Sequence, residues 1–258
     1  MEKTKNYVKT NQGLTKKRLN HFIEVDIDEK AGKYILVVHT GSRNFGLKVA
    51  EYHQNEAKKL MNEMFIGDAY KGLEFLPMER GGAKYIDDMQ VAQSYAAINR
   101  ETIVQRIFEQ LVARGFISQE AMRMSLRNVH SCVHNYIDIS GTVRKGAIAA
   151  HEGCHVIIPL NMRDGVIFGI GKGSAKWNNS APHGAGRILS RSKAKESLVL
   201  ADYKTSMDGI YTSCVNQDTI DEAPMAYKPV EMILRAIEET VEIQHIAKPC
   251  YNFKAGGE

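Results

Sequence analysis

Alternating hydrophobic and polar positions mark the first element of this chain. Phe22-Ile23-Glu24-Val25-Asp26-Ile27 alternates cleanly, and Tyr34-Ile35-Leu36-Val37-Val38 is an apolar run rich in β-branched residues, so two strands are predicted. The polar segment Asp28-Glu29-Lys30-Ala31-Gly32 has the length of a hairpin loop. The first third of the chain therefore reads as β structure. Across residues 85–114 the period changes to helical: Ile103, Ile107 and Leu111, flanked by Val104 and Phe108, form a stripe at i, i+4 spacing. Gly115 is placed to stop this helix, and Ser118 to cap a second one running through Met122 and Met124. The simplest reading of the pair is a core-facing helical hairpin. From His130 to Ile170 short strands and Gly-rich turns return, with Asn161-Met162-Arg163-Asp164-Gly165 a turn between two apolar runs. Residues 229–240 predict a last amphipathic helix, followed by a polar tail ending Tyr251-Asn252-Phe253-Lys254-Ala255-Gly256-Gly257-Glu258. Strands interleaved with separate helices argue an α+β fold rather than a doubly wound parallel sheet.

Bulk properties change this picture little. The 258 residues suffice for one substantial core or at most two small ones, and neither repeats nor low-complexity segments divide them. The longest apolar runs, such as Val156-Ile157-Ile158-Pro159-Leu160, are far too short to span a bilayer. No basic leader followed by an apolar segment opens the chain, so a cytoplasmic protein with no membrane partner is expected. Cys132, Cys154, Cys214 and Cys250 show no CxxC pairing and suit cytosolic thiols better than a disulfide framework. The net charge of +4 is a mild bias toward polyanions and names no function.

Candidate chemistry lies with the histidines. If residues 28–32 form the hairpin loop, Ile27 pairs with Lys33 and His21 falls opposite His39, close enough to bind one metal ion or a pair of metal ions. A slip of one residue would put the two imidazoles on opposite faces. Two further groups offer ligands: His130, Cys132 and His134, which share a face if that segment is extended, and His151-Glu152-Gly153-Cys154-His155. Spacing alone does not choose between them. The sharpest segment runs from Asn178 to Arg191 and contains Pro182-His183-Gly184-Ala185-Gly186-Arg187. Its glycines let backbone approach a phosphate, Arg187 and Arg191 can clamp one, and a neutral imidazole at His183 can serve as base, metal ligand or covalent nucleophile.

Taken together, these motifs resemble the RtcB family of RNA ligases. The match is carried by Asn20-His21-Phe22-Ile23-Glu24-Val25, His39-Thr40-Gly41-Ser42-Arg43, His134-Asn135-Tyr136, Arg144-Lys145-Gly146-Ala147 and Pro182-His183-Gly184-Ala185-Gly186-Arg187, in that order. The resemblance implies one RtcB-like domain over residues 1–258 with two packed β-sheets and peripheral helices. It also implies a GTP- and manganese-dependent ligase that joins RNA 3′-phosphate or 2′,3′-cyclic phosphate ends to 5′-hydroxyl ends, in tRNA splicing or RNA repair. His21, His39 and His134 would bind two Mn2+ ions with further ligands, and His183, assisted by Arg187, would take up the guanylate. Asn20, Phe22, Glu24, Asn135, the turn from Pro159 through Asn161 to Met162, the Gly184-Ala185-Gly186 backbone, Tyr227 and Lys254 would surround the nucleotide. An archease-like activator is a further implied partner.

The sequence also departs from the family pattern. Family members carry, ahead of the Asn-His-Phe motif, an Asp-Ile-Gly-Cys-Gly-Met run whose Asp and Cys complete the metal site, and no such run occurs here, so the chain is expected to be shortened at its N-terminal side. Lys17-Arg18-Leu19 stands where a glycine usually precedes the motif, and Leu160-Asn161-Met162 stands where relatives place phosphate-binding serines. Three readings follow: a ligase drawing its missing ligands from another chain or from Cys132 or His155, a non-catalytic nucleotide- or RNA-binding remnant, and a metal-dependent phosphoesterase.

Overall fold

The computed structural model describes residues 21–254. Strands β1 (Phe22–Asp28) and β2 (Lys33–His39) form the expected hairpin. Its register differs by one residue from the sequence reading: Asp28 pairs with Lys33, and His39 lies opposite Phe22 rather than His21. The turn is the cause. Gly32 donates its N–H to the Asp28 carbonyl at 2.8 Å, and the Asp28 carboxylate accepts from the N–H groups of Lys30 and Ala31 at 3.0 and 3.2 Å. Asp28 thus closes the turn as its own cap and stays in the strand pair, so residues 29–32 alone form the loop.

Beyond β2 the β reading fails, because helix α1 (Arg43–Glu63) follows. Only His53, Ala57, Leu60 and Met61 of its residues are buried, at i, i+4, i+7 and i+8. The remaining positions are so largely charged or amide-bearing that the narrow stripe gives little signal. Helix α2 (Gly82–Ala113) packs on α1 through Met89, Ala92 and Ala96, and His53 Nε2 meets the Asp88 carboxylate at 2.8 Å between the two. The stripe of Ile103, Ile107 and Leu111 is only half-buried. Gly115, at φ 76°, follows the end of α2 as expected, and α3 (Gln119–Arg127) comes next. The chain divides into two compact units, Thr40–Ser118 and the remainder, so the two helices expected to form one hairpin belong to different units.

In the larger unit β3 (Asn135–Ile137) pairs with β4 (Val143–Lys145), and β5 (Ala147–Ala149) precedes the hairpin of β6 (His155–Asn161) and β7 (Gly165–Gly171). The 161–165 turn lies where it was expected. Asn161 shapes it, its side-chain oxygen accepting from the N–H of Arg163 and of Asp164, each at 3.0 Å. Then come β8 (Ser180–Pro182), which pairs with β5, helices α4 (Arg191–Ser197) and α5 (Leu200–Ser206), strand β9 (Tyr211–Thr212), helix α6 (Val230–Ile237) and strand β10 (Val241–Lys254). Antiparallel sheets with separate helices make the fold α+β.

The expected polar tail is instead the central strand. In the order β2-β1-β10-β7-β6, the first half of β10 pairs with β7 and the second half with β1, so one 14-residue strand carries two antiparallel ladders. Exposed Glu242, Ile243 and Gln244 run in succession, and a register break between Ile243 and His245 interrupts the alternation that would have announced it. The main core joins Val156, Ile158, Leu160 and Ile167 of the β6–β7 hairpin to Ile148 of β5, Ala181 of β8, and Ile233 and Ile237 of α6. Burying each of the Val, Leu and Ile side chains among these contributes roughly 1.5–3 kcal/mol. This packing fixes the β5–β8 ribbon over the hairpin. Since Ala147 pairs with Pro182, Gly146 and His183 emerge side by side at its end.

Candidate functional site

Four imidazoles form a run across the edge of the larger unit. Ring centroids of His21 and His39 are 6.4 Å apart, those of His39 and His134 5.5 Å, and those of His134 and His183 4.6 Å. His39 is also stacked on Phe22 at 5.1 Å, its register partner across the hairpin. The one-residue slip does not disperse the group, because His21 precedes the first paired residue of β1 and is free of the strand's alternation. The structure also separates the histidines that the sequence left as alternatives. His134 neighbours His39 and His183, whereas His130 lies 4.0 Å from His155 and the Cys132 thiol meets the His155 carbonyl at 3.6 Å. Residues 129–134 form no strand, so the expected shared face of His130, Cys132 and His134 is absent.

His183 is held from one side. Its Nδ1 lies 2.6 Å from the Gly146 carbonyl oxygen, and a carbonyl only accepts, so the proton sits on Nδ1 and Nε2 presents its lone pair. Gly146 is fixed in turn: its N–H donates to the His134 carbonyl at 2.8 Å and to the Asn135 side-chain oxygen at 2.9 Å. Its φ of 69° favours glycine, and an added Cβ would crowd the His183 ring at 3.3 Å. Next to it Arg144, 3% exposed, donates to Ser180 Oγ at 3.0 Å and to the Asn178 carbonyl at 3.2 Å and pairs with Asp138. The hydroxyl of Ser140 and the Arg144 guanidinium hold Asp138 well below the usual carboxylate range. Asn178 and Asn179 both take left-handed backbone, which asparagine tolerates, and so turn the chain into β8 and on to His183.

Beyond His183 the loop wraps a buried acid. The Ala185 N–H donates to the Pro159 carbonyl at 3.0 Å, and an added Cβ on Gly184 would meet that same oxygen at 3.0 Å. Glu222, 2% exposed, accepts from Lys254 at 2.7 Å, Tyr227 at 2.6 Å, Arg191 at 3.0 Å and Arg187 at 3.3 Å. Arg187 further donates to the Leu189 carbonyl at 3.1 Å and to the Asp221 carbonyl, and its guanidinium lies 5.0 Å over the Tyr227 ring. Arg191 also reaches the Asp221 carboxylate at 2.8 Å. Burial pushes the Glu222 carboxyl up, but the charge of Lys254 and the hydrogen bonds of Lys254 and Tyr227 outweigh it, leaving the group below its ordinary value. Burial and the adjacent Glu222 push the Tyr227 phenol up. Neither Asp221 nor Glu222 was anticipated as part of the site. Their signal is an acidic pair between Ile220 and the apolar run Ala223-Pro224-Met225-Ala226.

A second acidic group lies on β1. Glu24, 3% exposed, accepts from Asn252 Nδ2 at 2.7 Å across the β1–β10 pair. Its carboxyl is raised well above its ordinary value by burial and by Asp26, against the pull of Lys254 and Asn252. Lys254 stands opposite Phe22 in register, its ammonium 5.9 Å from that ring. Phe22, Glu24, Tyr227 and Lys254, all expected around a nucleotide, therefore come together through β1, β10 and Glu222. The remaining positions are more varied. Asn161 is bonded within its own turn, Met162 is 1% exposed with its sulfur 3.0 Å from the Tyr203 hydroxyl, and Ala185 belongs to the main core. Gly186 turns the loop at φ 70°. Asn20 lies outside the described residues.

Among the described residues no trio of His, Cys, Asp or Glu is arranged to hold a metal ion, and no helix is long and apolar enough to cross a membrane. The histidine run supplies imidazole donors only. Such donors suit a first-row divalent ion, and a hard ion such as Mn2+ would draw oxygen ligands in addition.

The larger unit thus carries an imidazole with a presented lone pair, a run of clustered histidines and a buried Glu–Lys–Tyr group. A family model described as tRNA-splicing ligase RtcB matches residues 18–255, and the chain belongs to the RtcB family. Among curated proteins it is similar to the RNA-splicing ligase RtcB of Escherichia coli (strain K12), with 31% identity over 87% of this chain and 56% of that protein. It is also similar to the tRNA-splicing ligases RtcB of Aeropyrum pernix, at 27% identity over 83% of this chain and 53% of the relative, and of Pyrobaculum aerophilum, at 29% over 85% and 54%. The chain spans about half the length of these relatives.

Proposed function

We propose that this chain acts in an RNA ligase that joins 3′-phosphate or 2′,3′-cyclic phosphate ends to 5′-hydroxyl ends through a guanylylated His183, using GTP and manganese. The observation that carries the reading is the His183–Gly146 contact, which leaves Nε2 as a lone-pair donor beside clustered imidazoles. His183 Nε2 would attack the α-phosphorus of GTP, forming an N–P bond as the bond to the β-phosphate breaks and pyrophosphate leaves. The Nδ1 proton stays on the ring, donated to the Gly146 carbonyl, whose dipole steadies the positive charge on the imidazole. A 2′,3′-cyclic end would first be opened by water, a P–O bond forming as the P–O2′ bond breaks and the 2′-oxygen takes up a proton. An oxygen of the RNA 3′-phosphate then attacks the guanylate phosphorus and the N–P bond breaks, regenerating His183. Finally the 5′-hydroxyl oxygen attacks the activated 3′-phosphate, expelling GMP and losing its proton.

His21, His39 and His134 are the residues that would hold metal, with phosphate oxygens and ligands from outside the described residues completing the set. Bound ions would supply Lewis-acid stabilisation of phosphate and pyrophosphate charge. Phe22, Glu24, Tyr227 and Lys254 would surround the guanine, with Asn20 and Asn135 beside them, while the Pro159 turn and the Gly184-Ala185-Gly186 backbone would line the phosphates. Arg187, turned toward Glu222, would act mainly by holding the His183 loop in place. The RNA substrate and an archease-like activator belong to the same proposal.

The test is guanylylation. The chain is incubated with manganese and GTP labelled at the α-phosphate, beside a His183→Ala variant. Acid-labile label on the wild-type chain and its loss in the variant are expected. No label on a folded wild-type chain would overturn the proposal.

A further inference from the structure

Three buried oxygens on the β1–β10 pair meet no donor among the described residues: both carboxyl oxygens of Asp26 and the side-chain oxygen of Asn252. Asp26 and Asn252 are fully buried. Glu24 and Asp26 are two residues apart on β1 and so share a face. The surroundings offer little to offset two carboxylates. From β2, Val37 stands opposite Glu24 and Ile35 opposite Asp26. From β10 come Pro249 opposite Asp26, Asn252 on Glu24, and the Cys250 thiol, which donates to the Val25 carbonyl at 3.1 Å. Asp28 follows on the same face with His245 at 3.8 Å, and Lys254, the nearby cation, has its ammonium on Glu222. A buried carboxylate with neither a donor nor a cation of its own is costly, so such a group keeps its proton.

We propose that Asp26 is a positioning residue that holds a proton on behalf of Glu24, so that guanine is bound on an ionised Glu24 beside a neutral Asp26. This rests on the reading that Glu24 faces the guanylate. Guanine offers two donors on one edge, N1–H and the 2-amino group, and asks for an acceptor-only carboxylate, whereas adenine offers a ring acceptor at N1. Burial and the charge of Asp26 raise the Glu24 carboxyl, so Glu24 ionises only where Asp26 is neutral. Asn252 donates to one Glu24 oxygen and guanine would add two more donors, while Asp26 has no donor among the described residues, so with guanine bound the proton of the pair rests on Asp26. Above the pH at which Asp26 ionises, enclosing the base over two like charges requires a proton to be taken back. GTP binding is then coupled to proton uptake, and guanine preference weakens as pH rises.

The measurement is GTP and ATP binding to the full chain by calorimetry, in buffers of differing ionisation enthalpy, from about pH 6 to about pH 8.5, with Asp26→Asn alongside. Wild type is expected to take up a proton with GTP on the alkaline side and to lose roughly five- to tenfold in GTP affinity over that range. Asp26→Asn, permanently neutral, is expected to bind GTP with no such proton uptake and a flatter profile. GTP binding with the same proton linkage in both proteins would overturn this inference alone. No GTP binding by the wild type at any pH would overturn the nucleotide reading and this inference with it. Should the variant not fold, infrared titration of the wild type and Glu24→Gln decides: a protonated-carboxyl band persisting at neutral pH in both is expected, and its loss in Glu24→Gln overturns the idea.

Discussion

His183 Nδ1 and the carbonyl oxygen of Gly146 lie 2.6 Å apart, although 37 residues separate them in the chain. The contact exists because the β5–β8 ribbon pairs Ala147 with Pro182, leaving the preceding glycine and the following histidine adjacent. A Gly146→Ala substitution would force φ 69° on alanine, at a cost of about 1–2 kcal/mol, and crowd the imidazole at 3.3 Å. The expected outcome is guanylylation slowed by on the order of a hundredfold with only a modest drop in melting temperature. Guanylylation at the wild-type rate would show that the contact does not set the nucleophile.

Asn135 acts one step further out, through the N–H of Gly146, which keeps a second acceptor in the His134 carbonyl. Replacing Asn135 with alanine should therefore cost only about 1 kcal/mol of stability and slow guanylylation by roughly tenfold. Urea denaturation and single-turnover labelling measure the two effects separately. A full loss of labelling would mean that Asn135 touches the reacting groups directly.

Asp26 makes stability depend on pH in an unusual direction. Burial raises its carboxyl from 3.8 to about 7, so the native chain keeps a proton that the unfolded chain releases near its ordinary value. Unfolding in that window releases a proton, and stability present in full below about pH 4 is lost as pH rises through about 7. At 1.36 kcal/mol for each of roughly three pH units the loss is about 4 kcal/mol. Chemical denaturation at several pH values should show this slope in the wild type and a clear reduction of it in Asp26→Asn.

Glu222 has the opposite sign. Its folded value is depressed, chiefly by Lys254 acting against burial, so its contribution is present above its ordinary value of 4.5 and is lost as pH falls through the lower folded value. Lys254→Met would leave the buried carboxylate with Arg187, Arg191 and Tyr227 only, at a cost of about 3–5 kcal/mol. Acid unfolding of the variant should begin at higher pH than in the wild type. Coincident acid transitions would refute the account.

Manganese binding separates the two histidine groups. His39→Ala and His134→Ala should each weaken binding at least about tenfold, measured as free ion by electron paramagnetic resonance, while His130→Ala should leave it unchanged. The reverse ranking would move the metal to the His130–His155 pair.

Much of this was legible in the sequence because it depends on local pattern. The β1–β2 hairpin, the turn at Asn161, the stop at Gly115 and the α+β order follow from alternation and turn chemistry, which act over a few residues. The motifs around His21, His39, His134 and His183 pointed to a family that the match over residues 18–255 bears out. What the sequence by itself could not determine was long-range. The exact register hung on Asp28 capping its own turn, and β10 hid behind a bulge and a run of exposed positions, although it is the strand on which both ladders meet. Choosing between the His130 and His134 groups, finding the buried Asp221–Glu222 hub, and setting Asp26 without a donor beside Glu24 all needed tertiary structure. The physical reason is that a side chain's charge and hydrogen-bond partners are set by burial and by groups far away in the chain, and periodicity carries no record of either.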